Sequence, residues 1–211
     1  MKTIVTRIIW ANLLAAALPL WSATLEEPLT PEQAIVSSNV FHFEVSTMRA
    51  RIGLTLNKLR LLQKEHADLP AVFKDYCGEV AEMAKLAKQT AERAYEMKKE
   101  DLAFFRTWEQ RTDAIQDPDI QKLAKSRYDR RLKSYRKMVA AMAEARSEFV
   151  PFLTSLQDIQ KLLESDLNRN TIQSAHKFFK AIHLKGTDLE NDLYDVLIEE
   201  ARVSIEIGLY Q

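Results

Sequence analysis

Four histidines, one cysteine, the charged residues on apolar helix seams and one dense run of cations are the side chains of this 211-residue chain best suited to chemistry. Histidine is the commonest metal ligand and the usual proton carrier near neutral pH. Here the histidines are His42, His66, His176 and His183, and none stands three residues after a glutamate, so the Glu-x-x-His signature of a di-iron bundle is missing. His176 and His183 are seven apart and share a helix face, which could begin a metal site. No carboxylate stands at the usual spacing between them, and two surface histidines are the better reading. Cys77 is the only cysteine, so neither an intrachain disulfide nor a multi-cysteine metal site can form. It is expected to pack as a small apolar group, with cross-linking of two copies in an oxidising compartment as the lesser role. Gly-x-Gly-x-x-Gly, phosphate-loop and nucleophile-elbow patterns are all missing, and 4 glycines leave little material for ligand-cradling turns. The expectation is a non-enzyme with no catalytic residue, metal or cofactor.

The cations carry more information. Eight basic residues, Lys122, Lys125, Arg127, Arg130, Arg131, Lys133, Arg136 and Lys137, are opposed within that span only by Asp129. An acidic counterpart follows later, with Asp188, Glu190, Asp192, Asp195, Glu199, Glu200 and Glu206 against Arg202. If the two helices fold back about Asn168, Lys137 falls opposite Glu199, and charge matching inside the molecule is the first expectation. The second is a basic helix face for peripheral membrane contact, attracting lipid headgroups or another anionic surface. Nucleic acid is not indicated. Lys+Arg and Asp+Glu balance at 30 each, whereas a nucleic-acid-binding domain is usually clearly basic.

Long helices must position these residues. A 3-4-3-4 apolar rhythm runs from Leu69 to Ile115 through Phe73, Tyr76, Val80, Met83, Ala87, Thr90, Ala94, Met97, Asp101, Phe104, Trp108 and Arg111. A mean spacing of 3.5 keeps a row on one helix face only when helices supercoil about each other. Asp101 and Arg111 occupy seam positions where apolar groups are expected, and polar seam residues set register or pairing more often than they do chemistry. An earlier seam reads Phe41, Val45, Met48, Ile52, Thr55, Leu59, Leu62, His66. A third reads Tyr135, Met138, Met142, Ala145, Phe149, Phe152, Leu156, Ile159, Leu163, and a fourth Ile172, Ala175, Phe179, Ile182, Gly186, Leu189, Leu193, Val196, Glu200, Val203, Ile207.

Turn chemistry separates the seams. Thr30-Pro31-Glu32-Gln33 reads as a helix start, Asp68 and Pro70 mark a turn at Ala67 to Pro70 with a kinked continuous helix as the alternative, and Asp117-Pro118-Asp119 is both stop and cap. Asn168-Arg169-Asn170-Thr171 supplies the third turn. Pro151 predicts a kink near Ser147, and Lys185-Gly186-Thr187 a break in the last helix. The predicted fold is all-α, an elongated antiparallel up-down-up-down bundle of about four long helices, forming a single domain over residues 32–211.

The first 23 residues read as a bacterial-type export signal: Lys2 and Arg7, an apolar run from Ile8 to Leu20, then Ser22-Ala23 before Glu26 and Glu27. The expected mature chain begins at Thr24, after which residues 24–31 form a linker. Its 28 basic and 30 acidic residues leave a net charge of −2. Thr24 stands where a lipoprotein would carry cysteine, so no lipid anchor is expected.

The stretch Phe104-Phe105-Arg106-Thr107-Trp108-Glu109, then Tyr128 to Met142, then Pro151-Phe152-Leu153 with Leu156, Asp158, Leu163 and Leu167-Asn168, resembles a bacterial family known only as a domain of unknown function. Its members are exported, helical, coiled-coil-like proteins and often lipoproteins. The similarity covers roughly Val45 to Gly208. The chain departs from the pattern in lacking the lipobox cysteine and in having Ser165-Asp166 before Leu167-Asn168. The resemblance implies export and a helical fold and brings no catalytic residues. With the charge pattern, it points to a scaffold or interaction protein of the periplasm or cell envelope, working through an unidentified protein partner or self-association.

Overall fold

The computed structural model describes residues 31–207. The export signal assigned to residues 1–23, and the linker apart from Pro31, lie outside the described residues. Five helices are described: α1 (Pro31–Leu62), α2 (Leu69–Asp113), α3 (Pro118–Ser165), α4 (Arg169–Ser174) and α5 (His176–Ile207). None is long and apolar enough to cross a membrane.

Each boundary has a local cause. Pro70 lies in the first turn of α2, where its missing N–H removes no helical bond, and the Asp68 carboxyl accepts the Ala71 N–H at 3.3 Å. Asp117 Oδ1 accepts the N–H groups of Asp119 and Ile120 at 2.9 and 3.0 Å, with Pro118 opening α3. Asn168 Oδ1 accepts the Thr171 N–H at 2.9 Å and starts α4.

α1 packs on α2 and α5, and α3 packs on the same two, closing a four-sided ring of antiparallel neighbours. The seams face inward. Every expected seam position from Ile172 of α4 to Val203 of α5 is buried, Gly186 and Glu200 included, and α3 buries Tyr135, Met138, Ala145, Phe152, Leu156, Ile159 and Leu163. α1 buries Phe41 through Leu62 at the expected spacing. Tyr76 of α2 is fully buried, and its hydroxyl donates to the Leu156 carbonyl of α3 at 2.8 Å. On the rim, Arg51 pairs with Glu79 at 2.7 Å and Lys58 with Asp75 at 2.6 Å, tying α1 to α2.

Several expectations change. Pro70 follows a true turn, and the turn comes earlier than expected: α1 stops at Leu62, so His66 lies exposed outside the seam. α2 ends at Asp113, so Ile115 also falls beyond its helix. The last helix is interrupted at Ala175 and runs unbroken through Lys185-Gly186-Thr187. At Ala175 the chain tightens, its carbonyl accepting the N–H groups of both Phe178 and Phe179, while the residue itself stays buried. Pro151 is accommodated inside α3 without ending it.

One end of the bundle is tied by a single side chain. The Arg169 guanidinium donates to the carbonyls of Leu62 at 3.3 Å, Ala67 at 2.9 Å and Lys64, so the α3–α4 turn holds the α1–α2 turn. Next to it His176 Nδ1 lies 3.1 Å from Gln63 Oε1. Measured from that tied end, the helices differ in length. At about 1.5 Å per residue, α1 and α5 (32 residues each) run about 48 Å, whereas α2 (45) and α3 (48) run about 68 and 72 Å. Among the described residues, the α2–α3 hairpin therefore continues past its two neighbours.

The glycines report on packing. A Cβ on Gly186 would come within 2.8 Å of Leu56 Cδ1 and 3.0 Å of Phe152 Cε2, whereas one on Gly78 would meet nothing within 4 Å. Gly186→Ala should therefore lower stability by about 1 kcal/mol or more through overpacking, despite alanine's better helix propensity. Gly78→Ala, in the open face of α2, should raise it by about 0.5–1 kcal/mol. Thermal unfolding of the two variants checks the inward face of both helices.

Candidate interaction surface on the projecting hairpin

The hairpin has its own small core. Phe105, Tyr135 and Met138 are buried there with Val203 of α5, and Phe104, Trp108, Tyr128 and Leu132 pack around them. Ring centroids lie 5.1 Å apart for Phe105 and Tyr135, 5.6 Å for Phe104 and Trp108, and 5.7 Å for Trp108 and Tyr128, the last pair edge to face. Here the seam slips by one residue. Phe105 and Thr112 are buried, while Arg111, expected on the seam, is exposed. A straight helix drifts about 20° per heptad from a strict seven-residue repeat. Four heptads from Met83 to Arg111 therefore turn the face by most of one residue.

The eight cations line the outside of this hairpin and the adjoining part of α3. Lys122, Lys125, Arg127, Arg130, Lys133, Arg136 and Lys137 are exposed; Arg131 is half-buried, its guanidinium 4.7 Å from the Trp108 ring centroid. A shallow concavity among Lys122, Lys125, Ser126 and Asp129 is open to solvent. Ile120 and Leu123 add exposed apolar surface near the tip.

The acids of α5 are arranged differently from the expected matching. Asp192 sits among Glu144 and Glu148 of α3 and its own neighbours Asp188 and Asp195; burial first, then those like charges, push its carboxyl above the ordinary range. Glu199 bonds Arg202 on its own helix. α3 is thus mainly basic along its first half, and its Glu144 and Glu148 meet acids of α5.

A second polar group lies inside the bundle, at a residue that the spacing places on the fourth apolar seam. Glu200 is 2% exposed. Its Oε1 accepts the hydroxyls of Ser38 and, at 2.9 Å, Ser204; its Oε2 lies 3.0 Å from His42 Nδ1. Ser38 and Ser204 are themselves 3.0 Å apart. The carboxyl, not the imidazole, stands at the centre, so His42 does not take the Ser38 proton as a serine-protease histidine would. The arrangement bonds both carboxyl oxygens and locks α1 to α5. Ser38 lies 162 residues away from Glu200, and nothing in local spacing announces such a pairing.

Asp101, the other seam acid, is half-buried on α2, and burial, aided by Glu100, raises its pKa to about 7. Tyr135 is pushed up by its own burial and then by Asp101, and its hydroxyl is buried without a hydrogen-bond partner. Cys77 is half-buried, its thiol raised by burial and by Glu164. His183 is lowered by burial and Arg60. Among the described residues, no group of three or more His, Cys, Asp or Glu side chains is placed to hold a metal ion.

Residues 46–206 match a family described as a protein of unknown function (DUF2959). The chain belongs to this family. The matched span takes in all eight cations, Asp101, Glu200 and Ser204, and leaves Ser38 and His42 outside it. No curated protein and no solved structure matches the chain.

Asp101 gives a pH test. Its folded pKa lies above its unfolded value near 3.9, so the folded state binds the extra proton between those values and stability falls as pH rises from about 4 to 7. Above pH 7 the full penalty is present. Asp101→Asn should therefore be more stable than the parent at pH 8, by about 2 kcal/mol once partial solvent screening is allowed for, with the gap closing towards pH 4. Denaturant unfolding at both pH values reads the difference directly.

Proposed function

We propose that the chain is an exported, non-enzymatic scaffold or interaction protein of the bacterial cell envelope, and that its working surface is the projecting α2–α3 hairpin with the outer face of α3. The observation that carries this reading is the combination of a braced hairpin longer than its neighbours with an outer face rich in unburied charge. A face that only packed against its own bundle would need few cations, since long charged side chains are costly to order and contribute little as surface pairs. Export is supported by the charged start, apolar run and small pair of residues 1–23. Proximity labelling or cross-linking in the native envelope, read by mass spectrometry, should return an abundant protein adduct on α3 peptides. N-terminal sequencing should return Thr24 without an acyl group. A soluble cytoplasmic pool retaining Met1 would defeat the address, and lipid adducts alone would defeat the scaffold.

The second reading, peripheral binding to anionic lipid or another anionic surface, is favoured by the exposure of seven of the eight cations. Reversing Arg130, Lys133, Arg136 and Lys137 to Glu would then leave melting nearly unchanged while abolishing co-sedimentation with anionic liposomes, and wild-type binding would fall steeply with salt.

A further inference from the structure

The outer face of α3 changes sign along its length. At helical spacing, Lys133 and Lys137 are followed by Ala140 and Ala141, then by Glu144 and Glu148; the four charged residues are exposed, and the exposed Arg146, two residues from each glutamate, projects about 160° away around the helix. Arg136 flanks the basic half, and Asp188, Asp192 and Asp195 of α5 flank the acidic half. The two halves are symmetric about the point between Ala140 and Ala141. Lys137 and Glu144 lie equally far from it, as do Lys133 and Glu148.

A helix face with this pattern is complementary to itself when reversed. We propose that α3 pairs antiparallel with α3 of a second copy of this chain, about a twofold axis at Ala140–Ala141, with Lys137 and Lys133 of each copy against Glu144 and Glu148 of the other. The twofold axis turns two charge pairs into four, as an isologous interface requires. Alanines at the axis let the two backbones approach closely, since no long side chain stands between them. Each basic half would also meet the partner's α5 acids, offsetting the like-charge crowding around Asp192. A uniformly anionic surface answers only the basic half and repels the other. This inference rests on the interaction-protein reading and names its partner.

Sedimentation velocity on the full chain tests it. The parent should dimerise with rising concentration at low salt and dissociate as salt is raised. The pair Lys133→Glu with Lys137→Glu, and separately the pair Glu144→Lys with Glu148→Lys, should each weaken self-association at least about tenfold, because several attractions become repulsions together. Mixed together, the two variants should associate again, since the all-acidic face of one fits the all-basic face of the other. Circular dichroism melting should show both still folded. Should either variant fail to fold, Ala140→Cys in a Cys77→Ala background keeps every charge and should give a disulfide-linked dimer on mild oxidation. A parent that stays monomeric at every concentration, variants that associate as the parent does, or folded variants that do not pair when mixed would each overturn the proposal. So would failure of the Ala140→Cys chain to cross-link. Monomeric parent bound to phosphatidylglycerol vesicles would assign the face to lipid, while a monomer still cross-linked in the envelope to another protein would overturn self-pairing alone and leave the interaction reading standing.

Discussion

Each long helix among the described residues carries one apolar seam, and each packs it between two neighbouring helices. That constraint organises the rest. Four seams facing one axis produce the ring in which α1 and α3 each touch α2 and α5, with short turns making the neighbours antiparallel. Two of those turns meet at one end, and there the planar guanidinium of Arg169 collects three carbonyls that helix ends and turns would otherwise leave to water. Fixing that end leaves the described helices to differ at the other, so among the described residues the two longest continue as a hairpin. The aromatic cluster of Phe104, Phe105, Trp108, Tyr128 and Tyr135 supplies its core. Large rings suit a contact made mainly by two helices because each covers much area, and Val203 of α5 completes this one.

Polar groups gather near the level where the described parts of α1 and α5 end. Glu200 is bonded through both oxygens, which offsets the desolvation that an unpaired buried acid would suffer. An apolar seam permits helices to slide by a heptad. A buried carboxyl whose donors sit only on Ser38, His42 and Ser204 does not, because a slip leaves it unbonded. Glu200 thus fixes the register of α1 against α5 as Arg169 fixes the turns. Asp101 lacks such a donor set among its described contacts and is shifted upward instead, so one seam acid is satisfied and the other is strained.

The sequence carried the seams of α3 and α5 almost residue for residue, because heptad spacing and burial are two descriptions of the same geometry. It put Arg111 on the seam and left Phe105 and Thr112 off it, since spacing alone does not tell a supercoiled helix from one that drifts as its neighbours fall away. Gly186 read as a break because glycine weakens isolated helices. Its actual role is room for Leu56 and Phe152, a fact belonging to α1 and α3. His66 was carried into the seam because the rhythm continues through a turn that the helix does not enter. The eight cations were visible as a run, but their surroundings depended on which α5 residues come alongside α3. The fold places Glu144 and Glu148 beside Asp188, Asp192 and Asp195, a like-charge meeting that no reading of either segment alone contains.

That meeting bears on how the α3 face is to be understood. Packing and charge make separate demands on a bundle helix: the inward residues must be apolar, while the outward ones can vary at little energetic consequence. A face that served solubility alone would be best built with mixed signs, because alternating charges attract locally and segregated ones repel. On the face that carries Lys133, Lys137, Glu144 and Glu148, α3 has the segregated arrangement, cations before Ala140 and acids after it, with Arg146 projecting from another side of the helix, and α5 strengthens the acidic half. Inside one molecule the acidic half meets like charge at Asp192. That crowding is relieved when something of opposite sign lies against it, so a surface presenting both signs in reverse order is the complement that the helix itself describes.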